Sequence, residues 1–217
     1  MVCKRKKEEV KMNKGSSSIH PTNILAGAIA VYENAWKDYD KTINDALSID
    51  LDPLVNEKFL PSQTTQDSDN GNRFTQSIRT SSGLSIGRSA LSSKIAKDMY
   101  DSCDKLICSA VSEYVKIFKI YQEIKTAEGY SLLRYKPGEK YNLHYDGGTE
   151  TSRAISVLIY LNDDYVGGEI EFPNFDIKIK PKAGTLVLFP SNYAYSHIAH
   201  EVVSGTKYVI VTWLKDR

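Results

Sequence analysis

His144 and Asp146 stand two residues apart in the stretch Tyr135-Lys136-Pro137-Gly138-Glu139-Lys140-Tyr141-Asn142-Leu143-His144-Tyr145-Asp146. The composition around them is that of a β-strand, and alternate strand residues project to one face. A neutral imidazole and a carboxylate placed this way can aim at one metal ion. A second histidine from elsewhere in the chain would complete two imidazoles and one carboxylate, a set that holds Fe(II) on one side and leaves its other positions open. An isolated His-x-Asp is more often a surface pair, so a metal site needs support from residues further downstream.

The chain has four histidines, His20, His144, His197 and His200. His20 lies near the basic N-terminal stretch and has nothing that marks it as a ligand. His197 and His200 are three apart, so a strand turns them to opposite faces and one of the two can join His144 and Asp146. Spacing alone does not choose between them.

The elements that must bring these residues together are strands. From Gly129 onward the sequence breaks into short β-type runs at Ser131 to Tyr135, Tyr141 to Tyr145, Ala154 to Leu161, Glu169 to Phe172, Ile177 to Ile179, Thr185 to Phe189, His197 to Val203 and Tyr208 to Leu214. Gly147-Gly148, Gly167-Gly168, Lys182-Ala183-Gly184 and Ser204-Gly205 separate them, and no helical crossover intervenes, which predicts a double-sheet jelly roll (a double-stranded β-helix). Upstream, a short strand at Ile29 to Tyr32 leads into a helix with Trp36, Tyr39, Ile43 and Leu47 on one face, Trp36 being read as core. A longer helix spans about Ser89 to Ile124, with a stripe of Ile95, Met99, Cys103, Leu106, Ala110, Tyr114, Ile117 and Tyr121 that should lie against the outside of a sheet. The expected class is α+β, with the N-terminal helices packed on one sheet of the jelly roll.

At 217 residues the chain suits one domain with a full-sized core. Residues 1–22 read as a disordered basic tail, since Lys4, Arg5, Lys6, Lys7, Lys11 and Lys14 face only Glu8 and Glu9. Residues 23–217 read as the domain, with helical support over 23–125 and the jelly-roll core over 130–215. Residues 49 to 75, carrying Pro53, Pro61 and the polar run Ser62 to Asn72, form a long loop. With 28 basic and 27 acidic residues, the net charge of +1 gives no general pull toward nucleic acid or a membrane surface. No apolar h-region follows the lysines and no apolar run reaches the length of a membrane span, so a soluble, cytoplasmic protein is expected. The three cysteines, Cys3, Cys103 and Cys108, fit reduced thiols, the latter two as small residues within the long helix.

The motifs occur in a definite order: Arg79-Thr80-Ser81-Ser82-Gly83; Y-x-x-G-E-K-Y-x-x-H-Y-D from Tyr135 to Asp146; R-x-x-x-x-L-x-Y-L from Arg153 to Leu161; G-G-E-x-x-F-P from Gly167 to Pro173; K-P-x-x-G from Lys180 to Gly184; and His197, Gly205 and Lys207 followed by Trp213. In this the chain resembles the Fe(II)- and 2-oxoglutarate-dependent dioxygenases, and among them the prolyl 4-hydroxylase family, from about residue 79 to 214. The resemblance implies His144, Asp146 and His197 as the iron ligands, because the family pattern places the distal histidine eight residues before the glycine and ten before the lysine. His200 is then left near the site or on the surface. Lys207 is implied as the partner of the distal carboxylate of 2-oxoglutarate, and Tyr135 and Tyr160 as phenols facing the cosubstrate. Arg153 is open between a structural and a substrate-facing role.

The same resemblance implies binding of Fe(II), 2-oxoglutarate and O2, with ascorbate as reductant, and decarboxylation of 2-oxoglutarate to succinate and CO2 coupled to hydroxylation of a C–H bond. Related halogenating enzymes lack the carboxylate that Asp146 supplies, so hydroxylation is the expected outcome. The implied substrate is a peptide or protein, with proline as the hydroxylated residue. Another protein residue, a small molecule or a nucleic acid are alternatives, as is a non-catalytic jelly-roll binding module. Nucleic-acid demethylases of the AlkB type carry two arginines six apart after the distal histidine, where this chain has Lys207 and Trp213. A silent module would more often have lost one of the ligands or the lysine.

Overall fold

The structure is a computed structural model, described over residues 19–52, 54, 58–62, 79–87, 93–124, 126–147 and 152–216. The basic run with Cys3, most of the polar loop, Pro53 and Gly148 lie outside the described residues. Residues 19–22, which composition assigns to the tail, run along the body instead. Ile19 packs against the main core, and Thr22 N–H donates to Val31 O at 2.7 Å.

Seventeen longer elements occur in order. The first are β1 (Asn23–Leu25), β2 (Ile29–Tyr32), α1 (Tyr39–Leu51), β3 (Leu60–Pro61), β4 (Ser82–Ile86) and α2 (Lys94–Ile117). Then come β5 (Thr126–Ala127), β6 (Tyr130–Tyr135), β7 (Tyr141–His144), β8 (Arg153–Tyr160), β9 (Val166–Gly167), β10 (Ile170–Phe172) and β11 (Ile177–Ile179). The last are β12 (Leu186–Pro190), β13 (His197–Ala199), β14 (Val202–Ser204) and β15 (Lys207–Lys215). A nine-stranded sheet has the order β1-β2-β12-β8-β15-β6-β4-β3 with β5 added on β15; a four-stranded sheet has the order β11-β10-β13-β7; β14 and β9 form a separate pair. The strand pairs are antiparallel.

Strand alternation divides the large sheet between two cores. Leu132, Ile155, Val157, Ile159, Leu186, Leu188 and Ile210 share a cluster with Ala46 and Ile49 of α1 and with Ala96, Met99, Cys103, Ile107, Ala110 and Tyr114 of α2. Leu133, Tyr160, Val187, Phe189, Val209 and Val211, one residue out of phase, form a second cluster with Ile170 and Phe172 of the four-stranded sheet. The second cluster fills a β-sandwich interior, and the site lies on that side. The helices are also tied to the strands by phenols, Tyr114 donating to Ala28 O at 2.7 Å and Tyr130 to Asp104 at 3.1 Å. Leu132 is fully buried, opposite Leu84 and Ile210 on its neighbouring strands. Leu132→Ala should therefore cost about 2–5 kcal/mol of stability, read as a lowered midpoint in denaturant unfolding at unchanged slope.

Both helices are shorter than their apolar spacing suggests. Residues 33–38 are non-helical, Trp36 N–H donating to Gly184 O at 3.0 Å and its indole N–H to Thr42 Oγ1 at 2.9 Å. Trp36 is core, as expected, but lies outside the helix, whose buried face is Thr42, Ala46 and Ile49. The second helix starts after Ser93, whose hydroxyl accepts from Ala96 N–H at 3.1 Å. It stops at Ile117 because Lys119 takes a left-handed φ of 50°, with Lys119 N–H on Lys116 O and Ile120 N–H on Val115 O. That is a Schellman closure with lysine where glycine is usual, so Tyr121 ends outside the helix and 95% exposed. Ile95 is also exposed, and the stripe runs through Ala96, Tyr100 and Ile107 instead.

Candidate metal centre

The His-x-Asp pair is built differently from simple strand alternation. β7 ends at His144, so Asp146 lies beyond the strand and its orientation needs another source. Part of that source is Gly147, whose N–H donates to Ser191 O at 2.6 Å; a Cβ there would sit 2.8 Å from the same oxygen, so glycine is needed for the approach. His197 opens β13 and is paired across the ladder with His144. The run expected as one strand from His197 to Val203 breaks after Ala199 and passes into β14. His200, at that break, faces away from the pair and meets Glu171 at 2.6 Å. Of the two histidines that spacing left open, His197 is the one that lies beside His144 and Asp146.

His144, Asp146 and His197 each offer a ligand atom, all within 4.8 Å of one another. His144 Nε2 lies 3.6 Å from Asp146 Oδ1, and His197 Nε2 lies 3.8 Å from Oδ2. Both imidazoles use Nδ1 on a backbone carbonyl, His144 on Asn142 O at 2.7 Å and His197 on Tyr195 O at 3.1 Å. This network assigns the proton to Nδ1 and leaves each Nε2 lone pair turned toward the shared point. Burial, and then the nearby His197, push the His144 imidazole well below its ordinary range. Its contact with Asp146 is therefore not an ion pair but two donors facing one position. Burial opposes ionisation of Asp146, yet His197, His144 and the Ser156 hydroxyl outweigh it and hold the carboxyl below its usual range. The Trp213 indole N–H acts on the same carboxyl, but it falls short of hydrogen-bond geometry and is buried without a partner among the described residues. Two imidazoles with Nδ1 engaged by backbone carbonyls, one carboxylate and an orphaned donor beside them fit a divalent cation with an oxygen-rich ligand.

These three side chains stand in a cleft with about 440 Å3 of non-atom space, its open mouth included. Lys207, Tyr135 and Tyr160 line the same cleft. Lys207 and Tyr135 are opposite one another on β15 and β6, and the ammonium lies 5.2 Å from the Tyr135 ring and 5.3 Å from that of Tyr160. Lys207 is 2% exposed and donates to Gly168 O at 2.7 Å. Gly168, at φ 68°, lets that carbonyl approach, since a Cβ would meet the Tyr165 ring at 2.9 Å and Lys207 Cδ at 3.2 Å. No carboxylate among the described residues is within ion-pair distance of Lys207, and burial pulls its pKa down to about 7 against the opposing charge of Glu169. An unmatched buried ammonium at a cleft wall is a site for an anion.

Arg153, open in the sequence, is held as a brace. It pairs with Glu128 through Nε at 2.9 Å and Nη2 at 2.7 Å, covers the Trp213 ring at 3.6 Å and donates to Asp146 O at 3.3 Å. Arg79 also lines the cleft, bonded to Ser81 Oγ and lying over the Tyr141 ring. Sequence reasoning missed Ser156 and Ser191. The signal was available for Ser156: it is the one polar residue inside the run Ala154 to Leu161 and shares the face of Leu158 and Tyr160.

Residues 130–215, which carry these side chains, match the model of the 2OG-Fe(II) oxygenase superfamily. That part of the chain, which forms most of the strands, is similar to the superfamily. Relatives similar to this part of the chain include prolyl 4-hydroxylases. The chain is 34% identical over 111 residues to a putative prolyl 4-hydroxylase of Acanthamoeba polyphaga mimivirus, covering 42% of this chain and 46% of that protein. It is 31% identical over 119 residues to probable prolyl 4-hydroxylase 9 of Arabidopsis thaliana, covering 42% and 41%. The matched part thus spans less than half the length of either relative. Among solved structures, the fold is similar to the viral collagen prolyl hydroxylase of Paramecium Bursaria Chlorella virus-1 in its 2OG complex (TM-score 0.62, 22% identity, 86% of this chain and 95% of that one). It is also similar to a Trichoplax adhaerens prolyl hydroxylase in complex with a hypoxia inducible factor peptide fragment (TM-score 0.65, 20% identity, 88% and 84%). No helix among the described residues is long and apolar enough to cross a membrane.

Proposed function

We propose that this chain is an Fe(II)- and 2-oxoglutarate-dependent dioxygenase that hydroxylates a C–H bond of a peptide or protein, with peptidyl proline the target and succinate and CO2 released. The observation that carries the reading is the pairing, in one cleft, of three convergent metal donors with a buried lysine that has no carboxylate partner among the described residues. His144, Asp146 and His197 would hold the iron and leave its remaining positions to the cosubstrate and O2. Iron held there would activate O2 with 2-oxoglutarate as co-reductant for C–H hydroxylation, with ascorbate as reductant. The chain's own part is positioning. Lys207 grips the far carboxylate of the keto diacid, and the Tyr135 and Tyr160 hydroxyls flank it. Burial drives the Tyr160 phenol well above its ordinary range, so that hydroxyl stays protonated and able to donate. The apolar walls Leu133, Ile170, Val209 and Val211 keep water away from the reacting end. In the same reading residues 23–217 are one domain, and the two helices are the outer support of one sheet of a jelly roll. The relatives named as prolyl 4-hydroxylases support proline as the target.

The test is incubation of the purified protein with Fe(II), ascorbate, 2-oxoglutarate and proline-rich peptides, followed by mass spectrometry. A gain of one oxygen on proline is expected. Succinate without peptide oxidation would retain the enzyme class and overturn the substrate. A separate comparison addresses the distal ligand. His197→Ala should lose tight metal binding, whereas His200→Ala, which removes only the contact to Glu171, should keep it. The check is metal content after gel filtration, and the reverse result would place the second imidazole at His200.

A further inference from the structure

We infer that Ser156 and Ser191 form a hydroxyl relay that positions Asp146 and decides which of its oxygens meets the metal, an inference that rests on the metal site proposed for His144, Asp146 and His197. The two histidines are fixed by strand pairing and by their own Nδ1 bonds, but Asp146 stands past the end of β7 with no ladder partner. Its carboxylate is held from across the interior instead. Ser156 Oγ lies 2.6 Å from Asp146 Oδ2, and Ser191 Oγ lies 2.8 Å from Ser156 Oγ. Both serines are buried, at 0% and 1% exposure.

The proton order in this relay comes from donor counting. An ionised carboxylate only accepts, so the single Ser156 proton goes to Asp146, and Ser156 must then accept from Ser191. The direction Ser191 to Ser156 to Asp146 polarises each bond toward the carboxylate. The anchor is rigid: Ser156 sits in β8, between Phe189 on one neighbouring strand and Trp213 on the other. Ser191 acts twice, since its carbonyl accepts from Gly147 N–H while its own N–H donates to Ala154 O at 3.0 Å. With Oδ2 engaged by Ser156, Oδ1 is the oxygen left for the ion, a one-oxygen contact that keeps an additional coordination position free. Both serines are positioning residues; neither is placed against substrate.

The test uses the full chain and Co(II) as a spectroscopic probe. Ser156→Ala should weaken Co(II) binding roughly 10- to 100-fold, the range for loss of an outer partner of a metal ligand. It should also change the Co(II) ligand-field spectrum as the freed carboxylate rotates. Ser156→Thr should restore affinity and spectrum, while its near-isostere Ser156→Val should not. Ser191→Ala should shift both readouts in the same direction by less. Thermal unfolding midpoints of the variants separate these effects from loss of fold. Wild-type affinity and spectrum in Ser156→Ala, or equal behaviour of the Thr and Val variants, would overturn the relay while one Co(II) per wild-type chain, lost in His144→Ala, upheld the metal site. A wild-type chain that binds no Co(II) would overturn both.

Discussion

Asp146→Ala and His144→Ala should each abolish Fe(II)-dependent consumption of 2-oxoglutarate, with the loss exceeding the roughly 10- to 100-fold expected when only an outer partner is removed. The size of the effect comes from the small number of donors. Three protein atoms within 4.8 Å define the position, and two of them cannot enforce the same geometry on a divalent ion. The fold survives. Removing the Asp146 side chain leaves the Ser156 hydroxyl without its acceptor, at a cost of about 1–3 kcal/mol. The cores beneath both sheets are untouched, because His144 and Asp146 lie outside the two apolar clusters. The measurement is succinate formation beside a denaturant titration. Full turnover in either folded variant would remove the metal assignment.

The second large effect belongs to Lys207. Lys207→Ala should raise the KM for 2-oxoglutarate about ten- to a hundredfold, the equivalent of roughly 1.5–3 kcal/mol for a lost hydrogen bond to a charged group. In the wild type the same interaction depends on pH. With its pKa near 7 in the free cleft, Lys207 carries the cation a dicarboxylate needs below that pH. Above it, binding must take up a proton, so the apparent KM should rise about tenfold per pH unit. The alanine variant should lack that slope. Calorimetry in two buffers of different ionisation enthalpy reads the proton uptake directly. For folding the sign runs the other way: between about 7 and the ordinary 10.5 the unfolded chain binds the proton that native Lys207 has given up. Stability therefore gains from this group as pH rises through the window.

The sandwich was legible because β6, β8, β12 and β15 are short, largely apolar runs buried on both faces and bounded by turn residues, which marked each strand within one or two positions. The three-residue β11 was expected at its observed bounds, but β1, β3, β5 and β9 were not visible, since so short a pairing leaves little period to read. The helix ends escaped for local reasons. A serine cap at Ser93 fixed one, and a lysine in the left-handed region at Lys119 fixed the other, where glycine would have announced it. In the candidate site, His144 and Asp146 stood out by spacing and Lys207 through the family resemblance, but the expectation that His144 and Asp146 share a strand face did not hold, because β7 stops between them. Of the two serines that take over that role, Ser156 was marked by being polar inside an apolar run, whereas Ser191, in the loop after β12, carries no periodic signal. The Arg153 brace was undecidable from sequence, since its partner Glu128 lies 25 positions away.

The most direct test is an anaerobic titration of chelator-treated protein with Fe(II) and then 2-oxoglutarate, monitored by visible absorption. A keto acid that chelates a ferrous ion through both oxygens gives a charge-transfer band that neither component shows alone. The expected result is a band that saturates at one equivalent of Fe(II) per chain, is absent in His197→Ala and needs more 2-oxoglutarate in Lys207→Ala. No band from the wild type, or a band of full strength in His197→Ala, would contradict a ferrous centre held by His144, Asp146 and His197.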